Sequence, residues 1–296
     1  MRRALSVLAA LAVVGAAAFW WITRPVVAGP EVLAGIAPDL ERGALVFHAG
    51  GCASCHSAPK AEGAAKLVLA GGRAFASPFG TFYAPNISPD PDHGIGGWTA
   101  LQLYNAMIHG VSPDGRHYFP AFPYTSYARA RPEDIVALHA YLATLPVDAT
   151  AKRAHDVAFP FSIRRNLGGW KWLFARDGWV VAGDLTEEEQ RGRYLSEALG
   201  HCGECHTPRN ALGGPDFGRW LAGAPNPTGT GKIPNITPAK LDWSTADLVE
   251  YFTSGFTPEF DTVGGHMVDV VENLAQLPRE DRAAIAAYLK RVAPVD

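Results

Sequence analysis

Apolar and polar positions form three kinds of pattern along this chain. The first is a run from Ala4 to Ile22 with no charge in it, preceded by Arg2 and Arg3 and ending near Phe19-Trp20-Trp21. It approaches the ~20 apolar residues that a helix needs to span a bilayer, and its closing aromatics suit the membrane interface. Residues 1–24 therefore predict export. Two fates stay open: a retained anchor with the arginines inside and everything after Arg24 outside, or a signal peptide cleaved near the small residues Ala16-Ala17-Ala18. The length and the aromatic belt favour the anchor. The second pattern, residues 25–38, is rich in Pro, Gly and Ala without periodicity and predicts a tether.

The third pattern is helical spacing that occurs twice. Asp39 suits an N-cap, and Leu40, Gly43, Ala44 and Phe47 then share one helical face. Much later Thr186 caps an acidic first turn, Glu187 to Glu189, and Arg191-Gly192 take the place of Arg42-Gly43. The duplication continues downstream. Pro85-Asn86-Ile87-Ser88-Pro89 returns as Pro234-Asn235-Ile236-Thr237-Pro238, and Trp98 returns as Trp243, each tryptophan opening a helix, Thr99 to His109 and Ser244 to Ser254. Gly110-Val111-Ser112-Pro113 matches Gly255-Phe256-Thr257-Pro258, and Ala140-Tyr141-Leu142 matches Ala287-Tyr288-Leu289. Two homologous units are predicted, residues 39–145 and 186–296, with a core expected in each. The joining stretch, residues 146–185, holds Trp170, Trp172, Phe174 and Trp179 among Arg164, Arg165 and Lys171. Its aromatics are expected to pack between the units, or else to form a docking strip for a partner or a membrane surface.

Composition adds loops and removes one class of partner. The 31 Gly and 23 Pro are many for a helical protein and imply long irregular connections. A net charge of −3, from 26 basic and 29 acidic residues, gives nucleic acid no basic surface to bind.

The chemistry lies in the four cysteines. Cys52-Ala53-Ser54-Cys55-His56 and Cys202-Gly203-Glu204-Cys205-His206 use all of them, each pair followed at once by histidine. That string is the attachment site of a c-type haem: both thiols add across the porphyrin vinyl groups, and the histidine becomes the proximal iron ligand. A zinc site or a redox dithiol needs no histidine directly after the second thiol. Two covalently bound haem c groups are expected, held by Cys52, Cys55, Cys202 and Cys205, with His56 and His206 on the irons.

A sixth ligand belongs in the loop before the last helix. In the second unit Met267 stands there, after Gly264-Gly265. The matching position of the first unit is Phe122, which cannot bind iron. Met107 has the spacing of a helix core, with Tyr104, Ile108 and Val111. His117, in the loop five residues ahead of Phe122, is the candidate substitute; a water-bound or open position is the alternative.

The order of elements resembles the class I cytochrome c fold, which implies an all-α chain of two tandem class I domains with long loops behind a transmembrane or signal helix. The resemblance also implies that Gly43 and Gly192, in the first helices, let Tyr141 and Tyr288 of the last helices pack closely across them. Tyr83-Ala84-Pro85-Asn86-Ile87-Ser88-Pro89-Asp90, Gly94 to Trp98, Asp114 to Tyr124 and Gly200 to Asn210 further resemble multihaem cytochrome c subunits of periplasmic dehydrogenases that oxidise alcohols or gluconate, and of some molybdenum hydroxylases. That resemblance implies a periplasmic dehydrogenase as electron donor, with quinone, another cytochrome or a terminal oxidase as acceptor, rather than an enzyme in its own right. The best-known relatives carry three haems where this sequence has two strings, and those of the alcohol dehydrogenase type have methionine at Phe122. An open iron in the first unit is the basis of a different reading, a dihaem peroxidase-like enzyme or a small-ligand sensor.

Overall fold

The computed structural model describes residues 1–227 and 231–296. Helix α1 (Arg2–Ile22) buries none of its residues. The first repeat then supplies α2 (Leu40–Ala49), α3 (Cys52–His56), the antiparallel strands β1 (Ala74–Ser77) and β2 (Gly80–Tyr83), α4 (Ala100–His109), α5 (Tyr124–Tyr127) and α6 (Pro132–Leu142). Strand β3 (Asp156–Val157), from the joining stretch, pairs with β2, and α7 (Asn166–Phe174) follows. The second repeat gives α8 (Glu187–Arg193), α9 (Gly203–His206), the short pair β4 (Ala224–Pro225) and β5 (Lys232–Ile233), α10 (Thr245–Ser254), α11 (Met267–Leu274) and α12 (Arg279–Arg291). The all-α expectation is met apart from these two small sheets.

Helix starts fall where the side chains dictate. Asp39 accepts from the Arg42 amide at 3.0 Å, and Thr99, Thr186 and Ser244 each close a reciprocal capping box with the residue three positions on. Gly110 and Gly255 end α4 and α10 in the left-handed conformation.

Two helix crossings organise the molecule. Helix α2 packs along α6, and α8 along α12. A Cβ on Gly43 would overlap the Ala137 carbonyl and the Tyr141 side chain; one on Gly192 would overlap the Ala284 carbonyl and Tyr288. The glycines are what let the backbones approach. Each crossing carries the same ion pair, Arg42 with Asp134 and Arg191 with Asp281, the latter with Nε and Nη2 at 2.8 and 2.7 Å from its two oxygens.

The two expected cores are one. Buried apolar residues from Phe47, Ile135 and Leu138 to Leu195, Ile285 and Tyr288 form a continuous cluster. The cause is an exchange of short helices: α5 packs on the segment Tyr194–Leu199 of the second repeat, and α11 packs on α2 of the first. Thr125 and Ser126 donate to Glu204 at 3.2 and 3.1 Å, and Asn273 donates to Ser54 at 3.0 Å.

Candidate haem-binding sites

Both cysteine strings fold as one helical turn behind a left-handed residue, Gly51 at φ 57° and His201 at φ 42°. Glycine takes that conformation freely, whereas histidine holds it at some cost. His201 is offset by its ring, which is within 3.3 Å of the Gly50 carbonyl and stands edge-on to Tyr127. The Tyr127 hydroxyl donates to the same Gly50 carbonyl at 3.3 Å. These contacts bring the approaches to the two strings together.

The two motif histidines are held alike. His56 Nδ1–H donates to the Pro85 carbonyl at 2.8 Å, and His206 Nδ1–H to the Pro234 carbonyl at 2.8 Å. A metal-binding imidazole is oriented in this way, with the second nitrogen, Nε2, left for the iron. Burial lowers the pKa of both rings and so favours the neutral, ligating form. The accepting carbonyls are fixed in turn by the repeated asparagine. Asn86 donates to the Asp148 and Thr150 carbonyls at 2.7 and 2.9 Å, Asn235 to the Val295 carbonyl at 2.6 Å, and each side-chain oxygen accepts from an amide two residues on. That duty accounts for the recurrence of Pro-Asn-Ile-(Ser/Thr)-Pro.

Burial pushes the Cys52 thiol up to about 12 and those of Cys55 and Cys202 to about 11. Among the described residues no three His, Cys, Asp or Glu side chains converge as a metal cage. Paired half-buried or exposed thiols beside an imidazole with Nδ1 already bonded suit a covalently bound haem.

At the two positions read as sites for a sixth ligand the repeats differ. Met267 is the first residue of α11 and half-buried, and Gly265, two residues before it, has φ 60°. Phe122 is half-buried against Tyr118 and Tyr127, with ring centroids at 5.5 and 5.8 Å. Met107 is core, at 5% exposure. The loops ahead of both positions close with the same bridge, Val111 to His117 and Phe256 to Thr262.

His117 has another occupation. Its ring is buried, Nε2–H donates to the Thr23 carbonyl at 2.9 Å, and Nδ1 accepts from Lys171 Nζ at 3.0 Å. Lys171 also donates to the carbonyls of His109 and Gly110 at 2.6 and 2.8 Å. Burial pushes the Lys171 ammonium down to about 7. Both imidazole nitrogens are thus used between α7 and the end of α1, for a reason invisible locally: Thr23 is 94 residues away in the chain. Of the joining aromatics, Trp170 donates to the Leu212 carbonyl at 2.9 Å, Phe174 packs on Gly214, and Trp179 lies edge-on to Tyr194. Trp172 and Leu173 face solvent.

Sequence reasoning also missed Glu197. It lies in a π-helical turn, Tyr194–Leu199, which absorbs one residue more between Gly192 and Cys202 than lies between Gly43 and Cys52. That slip in the repeat was the available signal. Fully buried, Glu197 accepts from the Val180 and Val181 amides at 2.6 and 2.9 Å and from the Tyr288 hydroxyl at 2.9 Å. Tyr288 in turn accepts from Trp220 Nε1 at 2.9 Å.

Comparison with known proteins agrees with this geometry. The cytochrome c family model matches residues 40–146. The chain is 60% identical, over the full length of both, to a dihaem cytochrome c-type protein of Cereibacter sphaeroides. It is 40% identical over 263 residues, 86% of this chain and 53% of the relative, to the fructose dehydrogenase cytochrome subunit of Gluconobacter japonicus. It is 37% identical over 274 residues to the gluconate 2-dehydrogenase cytochrome c subunit of Pantoea cypripedii, covering 87% of this chain and 60% of that one. The chain thus spans between half and two thirds of the length of these two dehydrogenase subunits.

Proposed function

The chain belongs to the dihaem c-type cytochromes, and from that premise we propose that it is a membrane-tethered electron carrier on the periplasmic side, taking electrons from a dehydrogenase and passing them to a respiratory acceptor such as quinone, another cytochrome or a terminal oxidase. Residues 39–145 and 186–296 are its two haem-binding units. Cys52 and Cys55 hold one haem c and Cys202 and Cys205 the other, with His56 and His206 as proximal ligands and Met267 as the sixth ligand of the second iron. The bound haems supply one-electron exchange between ferric and ferrous iron. The chain's own residues set its terms: the Pro85 and Pro234 carbonyls orient the imidazoles, and the Gly50–His201–Tyr127 contact holds the two strings adjacent.

The observation that carries this reading is the twin histidine–carbonyl geometry on two strings that meet at Gly50. We assign no side-chain ligand to the sixth position of the first iron, because His117 is committed to Thr23 and Lys171 and Phe122 has no donor atom. An open iron is what keeps a peroxidase-like activity as the second reading. The aromatic lid of Tyr118, Phe122 and Tyr127 offers no ready acid–base group, with burial holding Tyr118 up at about 12 and Tyr127 well above its usual range, and so it favours electron transfer.

The α1 helix serves as a retained anchor in this account, supported by its apolar length and by the burial of Thr23 directly after it. The test uses membranes that contain the full chain, with fructose, gluconate and ethanol as reductants. Substrate-dependent reduction of both haems supports the carrier; failure of every substrate, with fast reoxidation by peroxide, supports the enzyme.

A further inference from the structure

Beyond the anchor, we propose that the stretch from Phe159 to Arg176 is a lipid-contacting platform, resting in the headgroup region of the bilayer beside the exit of α1, and that the joint at Thr23 fixes the haem units in one orientation to the membrane. The proposal rests on the reading of α1 as a retained anchor.

The joint is built as a socket. Although α1 buries nothing, Thr23 is 1% exposed. Its hydroxyl donates to the Phe19 carbonyl at 2.7 Å and accepts from Arg165 Nε at 2.8 Å, while its carbonyl accepts from His117. Arg165 also bonds the Trp20 carbonyl and lies 4.0 Å over the Trp20 ring. Gly168 passes so close that a Cβ there would overlap the Thr23 backbone. A loose tether would leave Thr23 in solvent; this joint sets the direction in which α1 leaves the protein.

The face around the joint suits lipid. Arg165, Gly168 and Trp172 recur at helical spacing, so Trp172 stands one turn beyond the Thr23 contact on the side turned to α1. It is 69% exposed and Leu173 58%, and Phe159 and Phe161 ahead of α7 are 79% and 46% exposed. Trp20 and Trp21, on the other side of the joint, are also exposed. Between Phe159 and Arg176 the chain has no acidic residue, and its cations are Arg164, Arg165 and Arg176, with Lys171 turned inward onto His117 and the His109 and Gly110 carbonyls. Exposed aromatics with basic and no acidic neighbours, continuous with a membrane helix, match the chemistry of the bilayer interface. Phe260 is more exposed still, but it lies between Glu259 and Asp261, far from α1 in the chain, and serves as a control.

The experiment reconstitutes the full chain in phosphatidylethanolamine–phosphatidylglycerol vesicles containing a lipid with a photoreactive group near its ester carbonyls, and maps adducts by mass spectrometry. Adducts are expected on residues 19–27 and on 159–176, with none on 256–266. Trp172→Glu combined with Leu173→Glu should lower labelling of 159–176 about tenfold while leaving 19–27 labelled; Trp172→Phe should keep it, and haem absorbance verifies folding of each variant. Adducts confined to 19–27, unchanged labelling in the double variant, or protection of 159–176 only when a dehydrogenase subunit is added would overturn the platform. Loss of both signals together with release of the chain by a carbonate wash would instead remove the anchor, and the platform with it.

Discussion

The two repeats hold their motif histidines in the same way and differ at the position proposed for the sixth ligand and around the tyrosine of the last helix. His56 and His206 each donate to a proline carbonyl at 2.8 Å, and an asparagine pins each of those loops. Beyond that, the first repeat has Phe122 where the second has Met267. Tyr141 is half-buried against Phe47, with ring centroids at 5.3 Å, whereas Tyr288 is sealed in and bonded to Trp220 and Glu197. Burial and the Glu197 carboxylate keep the Tyr288 phenol far above its usual range and protonated. The difference shows which side of each site is free to change. The motif histidines are tied to backbone carbonyls, whereas Phe122 and Met267 are half-buried side chains without such a tie, so a substitution there is expected to alter potential or ligation without unfolding the unit.

The largest effect is expected where the repeats agree. Gly192→Ala and Gly43→Ala each force a methyl group into a backbone carbonyl and should destabilise by about 3 kcal/mol or more, read as a fall in the thermal unfolding midpoint. Equal losses would mark the two crossings as equivalent supports; a loss at one alone would break the symmetry. Next is the proposed sixth ligand. Met267→Ala should lower the potential of the second haem by on the order of 0.1 V, within the ~0.8 V that axial ligation spans, and leave the first haem unmoved in spectroelectrochemistry. Conversely, Phe122→Met should bring the first haem towards the second and raise its potential by a similar amount, about 0.1 V. The smallest effect belongs to Glu197→Gln. Replacing the carboxylate, which lies 3.9 Å from Arg129, should raise the potential of the second haem by tens of mV, on the order of 1 kcal/mol at an effective dielectric near 20, again without moving the first. A uniform shift of both haems would mean that the carboxylate acts through the shared core.

Much of this was written locally in the sequence. Asp39, Thr99, Thr186 and Ser244 mark their helix starts because capping is a matter of three or four neighbouring residues. The haem strings were legible because the motif is local and occurs twice, and the glycine–tyrosine crossings because the order of elements resembles the class I cytochrome c fold. What lay hidden depends on distant partners. His117 looked like a ligand because its loop position was right; its bond to Thr23 depends on where α1 ends, which no local pattern encodes. The merging of two expected cores comes from α5 and α11 crossing to the other repeat, and neither helix has a sequence signal for its partner. The π turn did have one, the extra residue before Cys202, but a slip of one position says only that the chain must bulge, not that Glu197 will be buried by it.

The central claim, that the two irons have unlike coordination, is tested most directly by low-temperature EPR of the full chain, purified in detergent and oxidised in air, with haem quantified on the same sample. One low-spin signal, from the His206–Met267 iron, and one high-spin signal of equal weight, from the His56 iron, are predicted. Two low-spin signals of equal weight would contradict the claim and show that the first iron has captured a strong ligand despite Phe122.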